Sequence, residues 1–133
     1  KLFSKKNLKF FWIDFWKWKF FIQKLLRNFS FSKIGSKILN VSTSTIEFIT
    51  TDKPYSIVHI KDKKILDNKS LKEFETILDP TAFLRVHRSS IINTTFVKEL
   101  KSRNNGDYDA TLKNGQVIRL SRHFRNNWKQ LIQ

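Results

Sequence analysis

Three short clusters of basic residues lie where the sequence predicts loops or the ends of strands. They are Lys53, residues 85–89 (RVHRS) and residues 121–125 (SRHFR). The planar guanidinium of arginine can pair with guanine O6 and N7 together, and hydroxyl and backbone N–H groups can hold phosphates. Taken singly, each arginine is more often a solvated surface charge. Taken together as clusters carried by loops, these residues have the chemistry needed to bind a nucleic acid.

The overall charge favours the same kind of partner. The 133 residues include 26 Lys and Arg against 11 Asp and Glu, so the formal net charge is +15. Such an excess favours a polyanion, which is either a nucleic acid or an anionic membrane surface.

The sequence offers little chemistry for an enzyme. There is no cysteine, which excludes disulfides, thiol nucleophiles and cysteine-ligated zinc. His59, His87 and His123 stand apart without the spacing of a metal motif, and there is no glycine-rich phosphate loop. Turn chemistry explains Asp107 at least as well as catalysis does. We therefore expect a binding protein that uses no cofactor and no metal.

Residues 1–29 are both aromatic and basic and have the pattern of an amphipathic helix. Apolar residues recur at alternating spacings of three and four, as on a helix with a heptad period. They are Leu8, Phe11, Phe15, Trp18, Ile22, Leu25 and Phe29. Because other aromatic residues lie off this stripe, the helix needs a partner. Three alternatives stay open: dimerisation or docking (a homodimer through residues 8–29, or a partner protein), contact with a membrane surface, or the remnant of something longer.

From residue 30 to residue 133 the sequence predicts a mainly β domain with small helices. Short runs of β-branched and aromatic residues are separated by turn signals. The predicted strands are residues 38–41, 46–49, 55–60, 65–66, 83–86, 91–92, 108–112 and 117–120. Residues 50–54 read as a polar connection, because Pro54 excludes a regular central strand. Asn105-Gly106 and Asn114-Gly115 suit turns that need a positive φ.

Two short helices are predicted in this domain. Ser70 and Glu73 have the spacing of a capping box, and Asp79-Pro80 ends the helix that they begin. Ser121 can cap a last helix, and the N–H groups and dipole at its start would favour an anion. The apolar face of that helix consists of Phe124, Trp128 and Leu131.

The motifs of this domain resemble those of a known family. Residues 83–93 (FLRVHRSSIIN) are similar to the central signature of the LytTR DNA-binding family, written F-x-R-V-H-R-S-x-x-V-N. Residues 114–115, followed by residues 120–122 (LSR), resemble its second signature, in which an N-G turn precedes a strand that ends in S-R. A helix like the one predicted at Ser70 precedes the first signature. The resemblance covers residues 34–133.

The resemblance implies an elongated fold of short antiparallel sheets and a role in bacterial transcription regulation. In the family, loops on one side of the domain enter successive major grooves of double-stranded DNA, usually at direct repeats bound by dimers. Carried over, the contacting residues are Lys53 and Tyr55 with Asp52, then Arg88 and Ser89, and then Arg122. Ser121 of the same motif is a further candidate, and Arg125 and Lys129 are candidate phosphate contacts.

His87 and Asn93 belong to the central signature of the family. We interpret His87 and Asn93 as residues that make structural hydrogen bonds. An RNA-binding protein would need stacking aromatic residues exposed on a sheet, but the aromatic residues read mainly as core. A membrane-active protein driven by residues 1–29 is the other rival. We expect a cytoplasmic protein, with membrane association as an alternative.

Overall fold

The computed structural model describes residues 29–34 and 37–133, which are mainly β. The predicted helix of residues 1–28 lies outside the described residues. Phe29 begins a strand, so the prediction that it continues the helical stripe is wrong. No helix within the described ranges is long and apolar enough to cross a membrane.

The described residues form ten strands and two short α-helices. The strands are β1 (Phe29–Ile34), β2 (Lys37–Ser42), β3 (Ile46–Asp52), β4 (Tyr55–Ile60), β5 (Lys63–Asp67), β6 (Phe83–His87), β7 (Ser90–Asn93), β8 (Val97–Ser102), β9 (Tyr108–Leu112) and β10 (Val117–Leu120). The helices are α1 (Leu71–Ile77) and α2 (Arg125–Trp128). The predicted mainly β fold with small helices is therefore confirmed.

All paired strands are antiparallel and belong to three sheets. The large sheet has the order β5-β4-β3-β7-β6, the second sheet has the order β10-β9-β8, and β1 and β2 form a separate hairpin. In the large sheet β3 pairs with β7, and Ile49 lies opposite Ile91. The two long-range neighbours β3 and β7 thus form the middle of the sheet, although two strands and α1 follow β3 in the chain before β6 and β7 begin.

The central strands β3 and β7 of the large sheet are buried on both faces. Because successive residues of a strand point to opposite faces, β7 contributes Ile91 to one core and Ile92 to the other. The first core includes Phe74 from α1, and the second includes Leu112 from the second sheet and Trp128 from α2. The second core therefore joins the two sheets and holds the C-terminal segment against them.

Several local predictions are confirmed by the hydrogen bonds and dihedral angles. The backbone N–H of Glu73 donates to Ser70 Oγ at 3.2 Å, and the N–H of Ser70 donates to Glu73 Oε2 at 2.7 Å, which completes the capping box of α1. Gly106 and Gly115 have φ values of 89° and 91°, which side chains rarely allow. The apolar face of the last segment also packs in the second core.

Strands β1 and β8 were not predicted, and two predicted elements differ in extent. Strand β3 continues to Asp52, so the polar connection is only Lys53-Pro54. The pairing of Thr51 with Ser56 joins backbone groups, and it therefore does not depend on the polarity of the side chains. The last helix is not continuous: α2 has four residues and lies between two 3-10 turns. Trp128 is fully buried, and its indole N–H donates to the carbonyl of Ser121 at 2.8 Å, which holds this segment against the second core.

Asn93, at the end of β7, connects the large sheet to the turn that follows. Its side-chain N–H donates to the carbonyl of Ile46 at 2.8 Å, and Asn93 Oδ1 accepts from the N–H and hydroxyl of Thr95 at 3.1 and 2.8 Å. The side chain and its bond to the Ile46 carbonyl are buried, so loss of that bond would leave a polar group without water. The interpretation of Asn93 as a structural residue is confirmed.

We expect Asn93→Ala to lower the free energy of unfolding by about 1–3 kcal/mol, because it leaves a buried carbonyl unsatisfied. Urea denaturation at neutral pH would measure the loss. Asn40→Ala, at an exposed position of β2, is the control and should change the free energy by less than about 0.5 kcal/mol. Equal values for the two variants would contradict the role of Asn93.

Candidate nucleic-acid interface

Two of the predicted loops lie at the same end of the large sheet. Strand β3 pairs with β4 on one side and with β7 on the other, and Thr50 lies opposite Ser90. The N–H of Thr51 donates to the carbonyl of Ser89 at 3.0 Å. The β3–β4 turn, which carries Lys53, therefore lies at the same end as the β6–β7 turn, which carries Arg88.

The segment after β10 reaches this end as well. The N–H of Ser121 donates to the carbonyl of Val86 at 2.7 Å, and the side chain of Asn127 donates to the carbonyl of Arg85 at 3.0 Å. These bonds place Arg122 beside the β6–β7 turn. An open cavity of about 400 Å³ lies between them, and its lining includes His87, Arg88, Asp107, Arg119, Arg122 and His123.

The β6–β7 turn is held in shape by Arg85. Its Nε donates to the carbonyl of His87 at 2.8 Å and one terminal nitrogen donates to the carbonyl of Arg88 at 2.6 Å. The other terminal nitrogen lies 3.3 Å from Glu75 Oε2, and the guanidinium lies 5.5 Å from the centre of the Phe124 ring. Arg85 belongs to the basic cluster in the sequence, but its side-chain N–H groups are engaged by oxygen atoms of the protein.

His87 and Ser89 are bonded to each other across the same turn. The N–H of Ser89 donates to His87 Nδ1 at 3.2 Å, and the hydroxyl of Ser89 lies 2.8 Å from the same nitrogen. Burial lowers the pKa of His87, and the nearby cations Arg119 and Arg88 lower it further. A neutral imidazole is also what an accepting Nδ1 requires. The interpretation of His87 as a structural residue is confirmed, and the Ser89 hydroxyl is partly engaged.

Arg88, by contrast, has an unengaged side chain. It is exposed at the tip of the turn, and its guanidinium makes no hydrogen bond or salt bridge with any residue that the structure describes. Lys53 and Tyr55 are also exposed, Tyr55 with 45% of its surface. These three side chains are therefore available to a ligand at this end of the large sheet.

Arg122 is exposed as well, but it is anchored. Its backbone N–H donates to Asp107 Oδ1 at 2.8 Å, and one terminal nitrogen donates to the carbonyl of Asn105 at 3.0 Å. Asp107 Oδ2 accepts from Nε of Arg119 at 2.8 Å and also from its terminal nitrogen Nη2. The β8–β9 turn thus contacts both arginines at the mouth of the cavity.

The structure corrects the predicted anion site at the start of the last helix. The N–H groups of Arg122 and His123 donate to Asp107 and to the Ser121 hydroxyl, so they are not free for an anion. Ser121 itself is only 8% exposed, and its N–H, carbonyl and hydroxyl all make internal bonds. A short 3-10 turn with occupied N–H groups offers no dipole site of the predicted kind.

Sequence reasoning missed Arg119 and interpreted Asp107 only as a turn residue. Arg119 lies in β10 opposite Asp109 of β9. The alternation of buried and exposed residues along the strand therefore predicts only that the side chain of Arg119 faces solvent. Its pairing with Asp107 depends on the course of the β8–β9 turn, which no spacing in the sequence reveals. Farther along the chain, Arg125 is exposed with its guanidinium 5.7 Å from the centre of the Trp128 ring, and Lys129 is exposed as well.

Comparison with known proteins identifies the class. The sequence model of a family described as "LytTr DNA-binding domain" matches residues 36–133. The chain is 33% identical over 100 residues to Transcriptional regulatory protein LytR of Staphylococcus aureus (strain N315), which covers 75% of this chain and 41% of that protein. It is 30% identical over 99 residues to Sensory transduction protein LytT of Bacillus subtilis (strain 168). That match covers 74% of this chain and 41% of LytT.

A solved structure has the same fold. The LytTr DNA-binding domain of a putative methyl-accepting/DNA response regulator from Bacillus cereus superposes with a TM-score of 0.70 and 21% identity, covering 79% of this chain and 96% of that one. The fold and the matches define a DNA-binding domain of the kind that transcription regulators carry. The chain belongs to the LytTR DNA-binding domain family. It spans about two fifths of the length of the curated relatives that it matches.

The Asp107 network predicts a dependence of stability on pH. The backbone N–H of Arg122, followed by the side chain of Arg119, holds the pKa of Asp107 below its ordinary value. A carboxyl whose pKa is lowered by folding stabilises the fold fully above its unfolded pKa, and this contribution is lost as the pH falls through the folded pKa. We expect Asp107→Asn to be less stable than the parent at neutral pH, by a margin that shrinks below about pH 4.

Urea midpoints of the two proteins at several pH values between neutral and about pH 3 would measure this margin. Asp62→Asn removes an exposed carboxylate from the β4–β5 turn and should show no such convergence. A constant difference between Asp107→Asn and the parent over the whole range would contradict the assignment.

Proposed function

We propose that this domain binds double-stranded DNA in a sequence-specific way and serves in transcription regulation in the cytoplasm. The observation that carries the proposal is the pair of exposed arginines, Arg88 and Arg122, which come from different parts of the chain and line one cavity. Membership of the family supports DNA as the ligand. The pair supports base reading, since each guanidinium can present its fork to a guanine edge in the major groove.

The other candidate residues divide by their surroundings. Lys53, in the β3–β4 turn, and Tyr55, the first residue of β4, are exposed and would enter the groove next to the one read by Arg88 and Arg122. Ser89 would contact DNA from the tip of the β6–β7 turn. Ser121 would act mainly by holding Arg122 in place, because its own polar groups are engaged. Phosphate contacts, which fix register without reading sequence, are assigned to Arg125 and Lys129.

We further propose that two copies bind a direct repeat. A single cavity of this size can contact only a few base pairs. A second copy of the domain, bound one turn of the DNA helix away, would extend the recognised site. Residues 8–28 would supply the dimer contact through their heptad stripe, since Phe29 belongs to β1. Docking to a partner protein or a membrane surface by residues 1–28 is the alternative use of the same stripe.

Selection from a randomised duplex library at two salt concentrations would test the function. Enrichment of a motif that persists at the higher salt concentration supports sequence-specific binding. Binding without enrichment that collapses as salt rises would mean attraction to phosphates alone and would overturn the proposal. Selection from a single-stranded RNA library in parallel would reveal an RNA-binding protein instead.

Arg88→Ala and Arg122→Ala should each weaken binding to the selected site by about 1–3 kcal/mol, because each removes a bidentate base contact. Each should also relax base preference at its own position only. Fluorescence anisotropy with the selected duplex and its single-base variants would measure both effects. Unchanged base preference in both variants would refute the assigned roles.

Two further variants make the comparison specific. Lys113→Ala removes an exposed charge in the β9–β10 turn, at the opposite end of the second sheet from the cavity, and should leave binding nearly unchanged. Arg125→Ala should weaken binding to all sequences about equally, since a phosphate contact carries no sequence information.

The dimer contact is tested by sedimentation. The complete chain should sediment as a dimer at concentrations at which a chain lacking residues 1–28 is a monomer, because the heptad stripe would pair the two copies. Monomers in both samples would overturn dimerisation through this segment. Binding of the complete chain to anionic vesicles, with no binding by the shortened chain, would assign the segment to a membrane surface.

A further inference from the structure

We propose that Asp107 is a specificity-determining positioning residue: it orients Arg122 for base reading at the expense of general affinity for DNA. The inference rests on the proposed function, and it concerns a residue that would not itself touch DNA. Asp107 is only 3% exposed, yet it lies in the lining of the cavity that Arg88 and Arg122 flank.

The contacts of Asp107 fix the backbone of Arg122. One carboxylate oxygen accepts from the Arg122 N–H at 2.8 Å, and the other accepts from two nitrogens of Arg119. The backbone of Arg122 is thereby tied to the second sheet, because Asp107 directly precedes β9 and Arg119 lies in β10. The carboxylate also occupies Arg119, which would otherwise be a mobile cation in the same cavity.

The same turn fixes the end of the Arg122 side chain. The carbonyl of Asn105 accepts from the guanidinium at 3.0 Å, and Asn105 Oδ1 accepts from the N–H of Asp107 at 3.1 Å. At Gly106, whose φ is 89°, a β-carbon would lie 3.9 Å from both Cβ and Cδ of Arg122, so the backbone of the turn runs alongside the side chain. A side chain held at both ends loses less conformational entropy when it binds.

Electrostatics alone would disfavour this carboxylate. A negative charge at a surface that faces phosphates repels DNA, and its pairing with Arg119 neutralises a cation that would attract DNA. Asp107 should therefore weaken binding to every sequence by the same amount. An advantage arises only at the correct site, where an oriented guanidinium meets its base.

The test compares the complete parent chain with Asp107→Asn on two duplexes, the selected site and a scrambled duplex of equal length. An asparagine offers one acceptor oxygen to the two donors that Asp107 serves, and the charged Arg119 competes with the Arg122 N–H for it. We expect Asp107→Asn to bind the scrambled duplex more tightly and the selected site less tightly, so that the ratio of the two dissociation constants changes by about tenfold. Base preference should relax at the position read by Arg122 and persist at the position read by Arg88. Asp62→Asn, which removes the same charge far from the cavity, should strengthen both complexes alike and leave the ratio unchanged.

Two more variants separate positioning from a general loss of structure. In an Arg122→Ala background, Asp107→Asn should cause no further loss of preference, because the oriented side chain is already absent. Arg119→Gln keeps the bond between Asp107 and the Arg122 backbone, so it should preserve base preference and reduce affinity for all sequences. Arg119→Gln remains informative even where Asp107→Asn fails to fold.

The outcomes distinguish failure of this inference from failure of the proposed function on which it rests. A parent chain that prefers no site would overturn the proposed function and this inference with it. A specific parent whose base preference survives in Asp107→Asn would overturn the inference alone. An equal loss of preference at the Arg88 and Arg122 positions, or a loss at the Arg122 position in Arg119→Gln, would do the same.

Discussion

The pairing of β7 with both β3 and β6 is the constraint on which the candidate interface depends. Strand β7 is buried on both faces, so a slip of one residue would exchange Ile91 and Ile92 between two cores. The register is fixed for that reason, and with it the position of the turns at the ends of these strands. The loops that carry basic residues can therefore be exposed and still have their positions set by the strands that they connect.

Local features of the fold were predictable from the sequence because short-range physics decides them. The capping box of α1 needs only Ser70 and Glu73 at the right spacing, and Gly106 and Gly115 mark backbone conformations that other residues avoid. Strands β1 and β8 were not predicted, but the other eight followed from runs of β-branched and aromatic residues. The extension of β3 to Asp52 did not, because backbone pairing with β4 outweighs the polar character of its last residues.

The interface was predictable only in part. Arg88 and Arg122 were predicted as DNA contacts from the family's motifs, and the fold places both in the lining of one cavity, although the sequence alone does not place them there. The sequence could not show the role of Arg85, an arginine of the same short run as Arg88; three-dimensional contacts make Arg85 a support for the turn. Nor could it pair Asp107 with Arg119, because that contact depends on how two turns meet in space.

The unequal attachment of the two arginines has a consequence for the way target preference can diverge in evolution. Residue 88 stands at a turn whose shape is set by Arg85, so replacing it disturbs no internal bond. A change at residue 122 gives up the bond to the Asn105 carbonyl and alters a side chain packed along the turn. Under the proposed function, new target sequences are accessible by single substitutions at residue 88, whereas residue 122 must change together with the turn that supports it.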